Sequence, residues 1–247
     1  MIMDDNVFQF IDTNSARGEF ESLNRKFAEQ KIAIIGLGGT GSYILDLVSK
    51  TPVKEIHLYD ADVLQLHNLF RAPGTIITDR LNSENELPKV QYYYEVYSRM
   101  HKGISPHNEF ITRENINRLK GFDYVFICVD KNSVRTFLIE SLLKFGITFI
   151  DTGLGVTKLD DSLIGTIRIT TGNSEMSKHI GNRVGPDEGE ENIYATNIQI
   201  AELNSLNAAL AVLKWKKLCG FYQDLKMEHN TFYFINTNKM INEDFKT

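Results

Sequence analysis

The sequence predicts an α/β fold, with a mostly parallel sheet flanked by helices and antiparallel strands toward the C-terminus. An apolar run from Ile32 to Ile35 leads into the glycine-rich stretch GLGGTG and then into an apolar helical pattern. This order is typical of a buried strand, a tight loop and a helix. A second apolar strand, Glu55 to Tyr59, ends at Asp60. The alternating stretch LIGTIRITT, residues 163–171, predicts an antiparallel strand.

Length and composition favour one domain with a short extension. The chain has 247 residues, 42% of them hydrophobic, which suffices for one sizeable core. Residues 1–30 predict a helical lead-in, with Asn14 and Ser15 as capping residues and a periodic stretch from Glu19 to Gln30. Residues 31–247 predict a single α/β domain, with a polar, glycine-rich crossover loop at about 172–192.

Charge and cysteine content exclude several classes of protein. A net charge of −5 disfavours general nucleic-acid binding. The acidic N-terminus lacks the apolar core of a signal peptide, and no window of 18 apolar residues predicts a membrane span. Two cysteines, Cys128 and Cys219, favour a reducing cytoplasm without disulfides, and they are too few for a four-cysteine zinc site.

The glycine loop carries the first functional signal. Four glycines allow backbone N–H groups to approach phosphates at a helix N-terminus: Gly36, Gly38, Gly39 and Gly41. The acid about 20 residues further on, Asp60, is placed to accept hydrogen bonds from ribose hydroxyls in a Rossmann-like pocket. The alternative is a strand-to-helix turn without a ligand, which the strand, helix and acid around the loop disfavour.

The residues after Asp60 separate this pocket from that of a dehydrogenase. Asp60, Asp62, Asn68 and Arg71 fall within a dozen residues. Hydride transfer needs no such cluster, whereas a triphosphate with Mg²⁺ does, because carboxylates hold sugar and metal and arginine forms bidentate bonds to phosphate.

At this point the chain resembles the ThiF/MoeB/HesA family, the adenylating domain of ubiquitin-activating-type enzymes. The matching parts are GxGGxG, the D-x-D after the second strand and N-L-x-R, and the resemblance covers about residues 15–160. It implies an ATP- and Mg²⁺-dependent adenylyltransferase that converts a carboxylate into an acyl-adenylate. The implied substrate is the C-terminal glycine of a small ubiquitin-like or carrier protein, and the implied assembly is a homodimer.

The resemblance also assigns roles to individual residues. Lys89, after Pro88, matches a phosphate-contacting lysine, although the segment before it is longer than usual in the family. Asp130, after the strand at 123–129, matches the Mg²⁺-associated catalytic acid. Arg17, or else Arg25, matches an N-terminal arginine that reaches phosphates, often those of the partner subunit. The alternatives are an exposed lysine for Lys89, a helix N-cap for Asp130 and a surface arginine for Arg17.

The crossover loop lacks the cysteine that receives the acyl group in ubiquitin-activating relatives. Cys128 is predicted to be a buried small residue within a strand, and Cys219 at a helix end has three lysines nearby. We therefore expect the chain to stop at the adenylate or to pass it to an acceptor protein that supplies a thiol or an amine.

Four further elements complete the prediction. A strand is expected at His107–Ile111, a strand from Thr148 to Asp151 with a second glycine-rich turn after it, and a long helix over 193–218 before a strand at Thr231–Asn236. The turn, with Asp151, Gly153 and Gly155, is either the floor of a substrate channel or purely structural.

The rival functions are an NAD(P)-linked oxidoreductase and a non-catalytic, nucleotide-binding dimerisation subunit.

Overall fold

The computed structural model describes residues 6–75, 86–184 and 198–245. Two short helices open the chain, α1 (Thr13–Arg17) and α2 (Glu21–Asn24). Asp12 caps α1, because its Oδ1 accepts hydrogen bonds from the backbone N–H groups of Asn14 and Ser15. Asn14 and Ser15, which were predicted as caps, instead lie within α1. The helix expected from Glu19 to Gln30 is also wrong, because Glu19 has a φ of 56° and α2 covers only Glu21–Asn24.

The next elements build the parallel half of the sheet. In chain order they are β1 (Lys31–Ile35), α3 (Gly39–Val48), β2 (Glu55–Tyr59), a 3₁₀ helix (Leu66–Arg71), α4 (Lys89–Tyr97), β3 (Ile104–His107), a 3₁₀ helix (Ile116–Leu119), β4 (Tyr124–Ile127), α5 (Asn132–Phe145) and β5 (Thr148–Leu159). The strand order is β3-β2-β1-β4-β5, and each neighbouring pair is parallel. Ile35 lies opposite both Tyr59 and Ile127, so β1, β2 and β4 end at one edge.

The remaining elements extend the sheet with antiparallel strands. They are β6 (Ser162–Gly172), α6 (Ile180–Arg183), α7 (Ala201–Leu218), β7 (Glu228–Phe234) and β8 (Lys239–Phe245). β6, β7 and β8 follow β5 in that order and pair in antiparallel fashion. The predicted fold class, a mostly parallel α/β sheet with antiparallel C-terminal strands, is confirmed.

The core forms two layers, one on each face of the sheet. Alternate residues of β1 serve the two layers, because successive side chains of a strand point to opposite faces. Ile32 and Ile34 pack into the layer that contains α3, α4 and α7, and Ala33 and Ile35 pack into the layer that contains α5. Burial on both faces explains why β1 is apolar without alternation.

Several predicted boundaries were wrong. β3 lies at 104–107, before the predicted strand, and β4 ends at Ile127, which leaves Cys128 to Lys131 in a loop. β5 continues through Gly153 and Gly155, where a turn was predicted. α7 begins at Ala201, not at 193; residues 185–197, which include the rest of the predicted crossover loop, lie outside the described part. No helix in the described part of the chain is long and apolar enough to cross a membrane.

Candidate functional site

The loop from β1 to α3 combines glycines required by packing with one that faces open space. A Cβ at Gly36 would lie 2.8 Å from the Cys128 carbonyl oxygen, and one at Gly41 would lie 1.9 Å from the Gly36 oxygen. A Cβ at Gly38 would meet nothing within 4 Å among the residues that the structure describes. Gly38 is also the N-cap of α3 and makes no side-chain cap bond. The first N–H groups of this ten-residue helix therefore suit an anionic ligand.

Asp60 is buried behind this loop, at the end of β2. Its Oδ2 accepts the Leu37 N–H at 2.7 Å, and its Oδ1 accepts the Asp62 N–H at 2.8 Å. Burial raises the pKa of this carboxyl, and the Lys89 ammonium, 4.0 Å away, opposes the rise. Because an ionised carboxylate accepts about four hydrogen bonds, Asp60 retains capacity for ligand hydroxyls.

Lys89 lies in this cluster, as its sequence position predicted. It is the first residue of α4 and its side chain is buried, with Nζ 2.7 Å from Asp62 Oδ2. Its backbone N–H donates to the Asp62 carbonyl at 2.9 Å. A buried ammonium with one exposed carboxylate partner is a fixed positive charge rather than the solvated surface lysine of the alternative interpretation.

Arg71 and Asp130 form the next part of the site. Arg71 is half-buried, and its Nε has no hydrogen-bond partner among the described residues. Burial lowers the pKa of this guanidinium, whereas the nearby negative charge of Asp130 raises it. Asp130 is exposed in the loop after β4 and does not cap a helix, because the N-cap of α5 is Lys131. An unpartnered guanidinium N–H beside an exposed carboxylate suits a phosphate with its metal.

A cleft of about 530 Å³ opens between the glycine loop and the loop that carries Asp130. It is lined by the start of α3, the loop after β4, Arg135 of α5, the middle of β5, and residues in and just before α7: Gly38–Thr40, 128–132, Arg135, 152–157, 198–199, Asn204 and Asn207. In the described part of the chain, no three His, Cys, Asp or Glu residues gather into a metal cage. One carboxylate at the cleft nevertheless fits Mg²⁺, which keeps several waters and binds through phosphates.

Two predicted residues lie in other settings. Asn68 is buried, and its Oδ1 accepts the Gln65 N–H at 2.9 Å, which holds the 3₁₀ turn that carries Arg71. Arg17 is the exposed last residue of α1. The α1 segment lies beside Lys50 and Thr51, just past the end of α3 opposite the glycine loop, and ten helical residues span about 15 Å. Within one chain, Arg17 is not brought to the cleft.

The sequence analysis missed Thr40, Asn204 and Asn207. The Thr40 hydroxyl donates to Asn204 Oδ1 at 3.0 Å and accepts from Asn207 Nδ2 at 3.2 Å. Both amides are buried, with 1% exposure, and a Cβ at Gly39 would collide with Asn204. Two asparagines three residues apart within the apolar stripe of α7 were the available signal, because buried amides need partners.

The two cysteines lie at opposite edges of the sheet. Cys128 lines the cleft just past β4 rather than within the strand, and burial raises the pKa of its thiol to about 12. Cys219 caps the end of α7, with Sγ within hydrogen-bonding distance of Gln30, the residue before β1. Burial also raises its pKa. Neither thiol is activated, and Cys219 lies at the edge away from the glycine loop.

Comparison with known proteins identifies the family. A model of the ThiF family matches residues 13–247. The chain belongs to the ThiF family. The resemblance to this family that the sequence predicted is thereby confirmed.

Two curated relatives of this ThiF-family chain have different names. One is ubiquitin-like modifier-activating enzyme 5 of Oryza sativa subsp. japonica, 24% identical over 178 residues, which cover 68% of this chain and 41% of the relative. The other is tRNA threonylcarbamoyladenosine dehydratase 2 of Saccharomyces cerevisiae. It is 24% identical over 155 residues, which cover 61% of this chain and 34% of the relative. The chain thus spans less than half the length of either relative.

Solved structures share the fold at low sequence identity. E. coli MccB with MccA-N7isoASN has a TM-score of 0.72 and 16% identity, and covers 95% of this chain and 72% of that one. E. coli MccB with ATP has a TM-score of 0.71 and 15% identity, and the match covers 95% of this chain and 72% of that one. TcdA (CsdL) has a TM-score of 0.60 and 18% identity, and the match covers 84% of this chain and 92% of that one. At these identities the likeness establishes the ThiF fold alone.

Proposed function

We propose that this chain uses ATP and Mg²⁺ to convert a carboxylate into an acyl-adenylate. The observation that carries the proposal is an unpartnered guanidinium group and an exposed carboxylate in the loops after β2 and β4. Among the described residues the buried Nε of Arg71 has no hydrogen-bond partner, and Asp130 presents an exposed carboxylate to the cleft. Attack of a carboxylate on the α-phosphorus needs no protein nucleophile, but it needs fixed charges placed around the phosphate.

The chain's residues divide this work. Gly38 and the start of α3 offer N–H groups to phosphate oxygens, and Asp60 holds the ribose. Lys89 and Arg71 balance negative charge on the phosphates. Asp130 and Asp62 are the carboxylates available to a metal ion, and Asp130 is our choice because it lines the cleft. Bound Mg²⁺ would neutralise phosphate charge.

We propose the C-terminal glycine of a ubiquitin-like or carrier protein, or of a peptide, as the substrate. Gly153 and Gly155 of β5 line the cleft, and a Cβ added at Gly155 would meet none of the described residues within 4 Å, so this wall offers room for a narrow tail. The names of the rice relative and of the MccB structures support the two branches of this class. Because neither cysteine is activated, the adenylate passes to an acceptor that supplies a thiol or an amine.

We further propose that the chain acts as a homodimer. Arg17 is then free to serve the cleft of the second copy, because α1 lies away from the cleft of its own chain. Loss of exchange in Arg17→Ala, restored by mixing with an inactive chain that retains Arg17, would support this arrangement. Loss that mixing does not restore would contradict it.

Pyrophosphate exchange tests the proposed function directly. Labelled pyrophosphate should enter ATP when the chain receives Mg²⁺-ATP with peptides or small ubiquitin-like proteins ending in glycine. A parallel reaction with tRNA addresses the class named by the yeast relative. Absence of exchange in every reaction, together with tight NAD binding, would favour the oxidoreductase. Tight ATP binding without exchange would favour the non-catalytic subunit.

A further inference from the structure

Asp151 occupies an unusual position behind the cleft. It lies on β5 opposite Ile127, the last residue of β4, at the point where the loop carrying Asp130 begins. Its carboxylate is fully buried. Oδ1 accepts the Nε–H of Arg135 at 2.8 Å, and Oδ2 accepts an N–H of Arg168 at 2.6 Å. One buried carboxylate thus holds two guanidinium groups.

Arg135 turns this ion pair toward Asp130. One terminal nitrogen, Nη1, donates to Asn132 Oδ1 at 2.5 Å, and the other, Nη2, donates to the carbonyl oxygen of Val129. Asp130 lies between these two anchor residues and is itself exposed. The position of its carboxylate therefore depends on a loop whose two sides are fixed by one guanidinium. The planar fork of arginine suits this role, and the ammonium of lysine does not.

Arg168 carries the same network in the other direction. Its Nη1 donates to Thr170 Oγ1 at 2.9 Å and to the carbonyl oxygen of Arg183 at 3.0 Å. Arg183 ends α6, and its side chain pairs with Asp244 and Glu243 of β8. Asp151 thus shares its two oxygens between the Asp130 loop and the α6 segment.

Stability alone is a weak reason for such a network. A buried ion pair loses solvation that its attraction only partly restores, and apolar replacements of equal volume are often as stable. What an apolar cluster cannot provide is directional anchoring of two backbone carbonyls and one side-chain amide. The contacts of Arg135 with Val129 and Asn132 fix the geometry of the loop around Asp130.

We propose that Arg135 and Asp151 are positioning residues for Asp130, and that Arg168 couples the Asp130 loop to the α6 segment. This inference rests on the proposed function, because it assigns Asp130 to the metal-bound nucleotide. Movement of α6 is then transmitted through Arg168 and Asp151 to the geometry at Asp130. Arg168 does not line the cleft, and Arg135, which does, acts in this role through its contacts with Val129 and Asn132.

Metal-dependent nucleotide binding tests the positioning role. Calorimetry with the α,β-methylene analogue of ATP, which cannot release pyrophosphate and so cannot transfer its adenylyl group, is run in Mg²⁺ and in EDTA. In Arg135→Lys, the gain in affinity due to Mg²⁺ should fall roughly tenfold, as for other residues that support a metal ligand. Binding in EDTA should stay unchanged. The matched control is Arg118→Lys, an exposed arginine 2.6 Å from Glu109, which should alter neither value.

Asn132→Ala keeps the test decisive if Arg135→Lys fails to fold. Asn132 is exposed and supplies one of the two anchors, so its loss should reduce the Mg²⁺ effect in the same direction. An unchanged Mg²⁺ effect in the folded variants would overturn the positioning proposal alone. A wild-type chain without any Mg²⁺-dependent binding would overturn the proposed function and the inference with it.

Hydrogen exchange on the unliganded chain tests the coupling. Arg168→Lys should speed exchange in peptides covering 180–184 and also in those covering 128–134, while peptides from β1 stay protected. Asp151→Asn, which keeps the shape and removes the charge, should affect the same two segments. Faster exchange at 180–184 with no change at 128–134 would overturn the coupling.

Discussion

The two edges of the parallel sheet differ in how their polar groups are satisfied. At the edge where the strands begin, the Lys31 N–H donates to Asp123 at 2.7 Å, and the Trp215 indole donates to Gln30 at 3.2 Å. The Gln30 carbonyl accepts the N–H groups of Lys54 and Glu55. At the edge where the strands end, the Arg71 Nε has no partner in the described part of the chain, and Asp130 is exposed. Polar groups at the edge where the strands begin therefore hydrogen-bond to one another, whereas those at the edge where the strands end suit a ligand.

The contrast teaches that residue type alone does not mark a functional group. Asp123 and Asp130 flank the same strand, β4, and Cys128 and Cys219 lie at opposite edges of the same sheet. Asp123 completes a backbone hydrogen bond, whereas Asp130 faces the cleft. Substitutions at matched positions on the two edges should therefore affect activity on one side and stability on the other.

The largest expected effect separates these two acids. Asp130→Ala should lower pyrophosphate exchange by about a thousandfold, because it removes the carboxylate that the proposed function assigns to the metal-bound phosphate. Its unfolding free energy should change by less than about 0.5 kcal/mol, since the side chain is exposed. Asp123→Ala should instead lower stability by about 1 kcal/mol and leave exchange intact. Normal exchange in Asp130→Ala would mean that the metal site is elsewhere.

The second prediction separates two glycines of one loop. Gly41→Ala should lower the unfolding free energy by about 2–3 kcal/mol, because its Cβ would lie 1.9 Å from a backbone oxygen that cannot move independently. Gly38→Ala should leave the urea midpoint almost unchanged, since its Cβ meets open space, and should weaken ATP binding. Equal loss of stability in both variants would contradict this division.

A smaller effect is expected at the opposite edge. Trp215→Phe keeps most of the buried ring but removes the N–H that donates to Gln30. The unfolding free energy should fall by about 1–2 kcal/mol, from the lost hydrogen bond and the smaller ring. Guanidinium denaturation measures the loss, and ATP affinity, measured by calorimetry, should not change. A drop in ATP affinity would show that the two edges are coupled.

The smallest effects concern the cysteines. Cys219→Ala should change pyrophosphate exchange and acyl transfer not at all, because Cys219 is at the wrong edge for a thioester. At pH 8 the Cys128 thiol should alkylate slowly with iodoacetamide, because burial raises its pKa to about 12 and the thiolate is the reacting form. Mass spectrometry follows both reactions. Rapid alkylation of Cys128 would show that its thiol is activated. An acylated Cys219 would show the same for the Cys219 thiol, and either result would contradict the inference drawn above.

The parallel half could be predicted from the sequence where local rules agree. The glycine loop, Asp60 and β2 were predicted because tight turns and double-sided burial leave clear patterns. β3 was misplaced because it contains Pro106, which is normally excluded from strands but tolerated at the outer edge of this sheet. Edge position is a property of the assembled sheet, which local sequence does not encode.

The rest of the site depended on contacts between distant segments. Gly153 was read as part of a turn, yet its lack of a side chain leaves room in β5 for Arg168, whose nitrogen would lie 3.0 Å from an added Cβ. Asn204 and Asn207 reach Thr40 from more than 160 positions away. Such pairs carry no short motif, so only the folded chain brings them together.

β5 has a consequence for how the chain can be divided. It pairs in parallel with β4 through its first four residues and in antiparallel fashion with β6 along Phe149–Leu159. A fragment that ends near residue 160 would retain the whole glycine loop but would leave β5 without its partner β6. An unpaired edge of this length invites association with other chains. We therefore expect a chain truncated near residue 160 to aggregate rather than to form a minimal, independently folded domain.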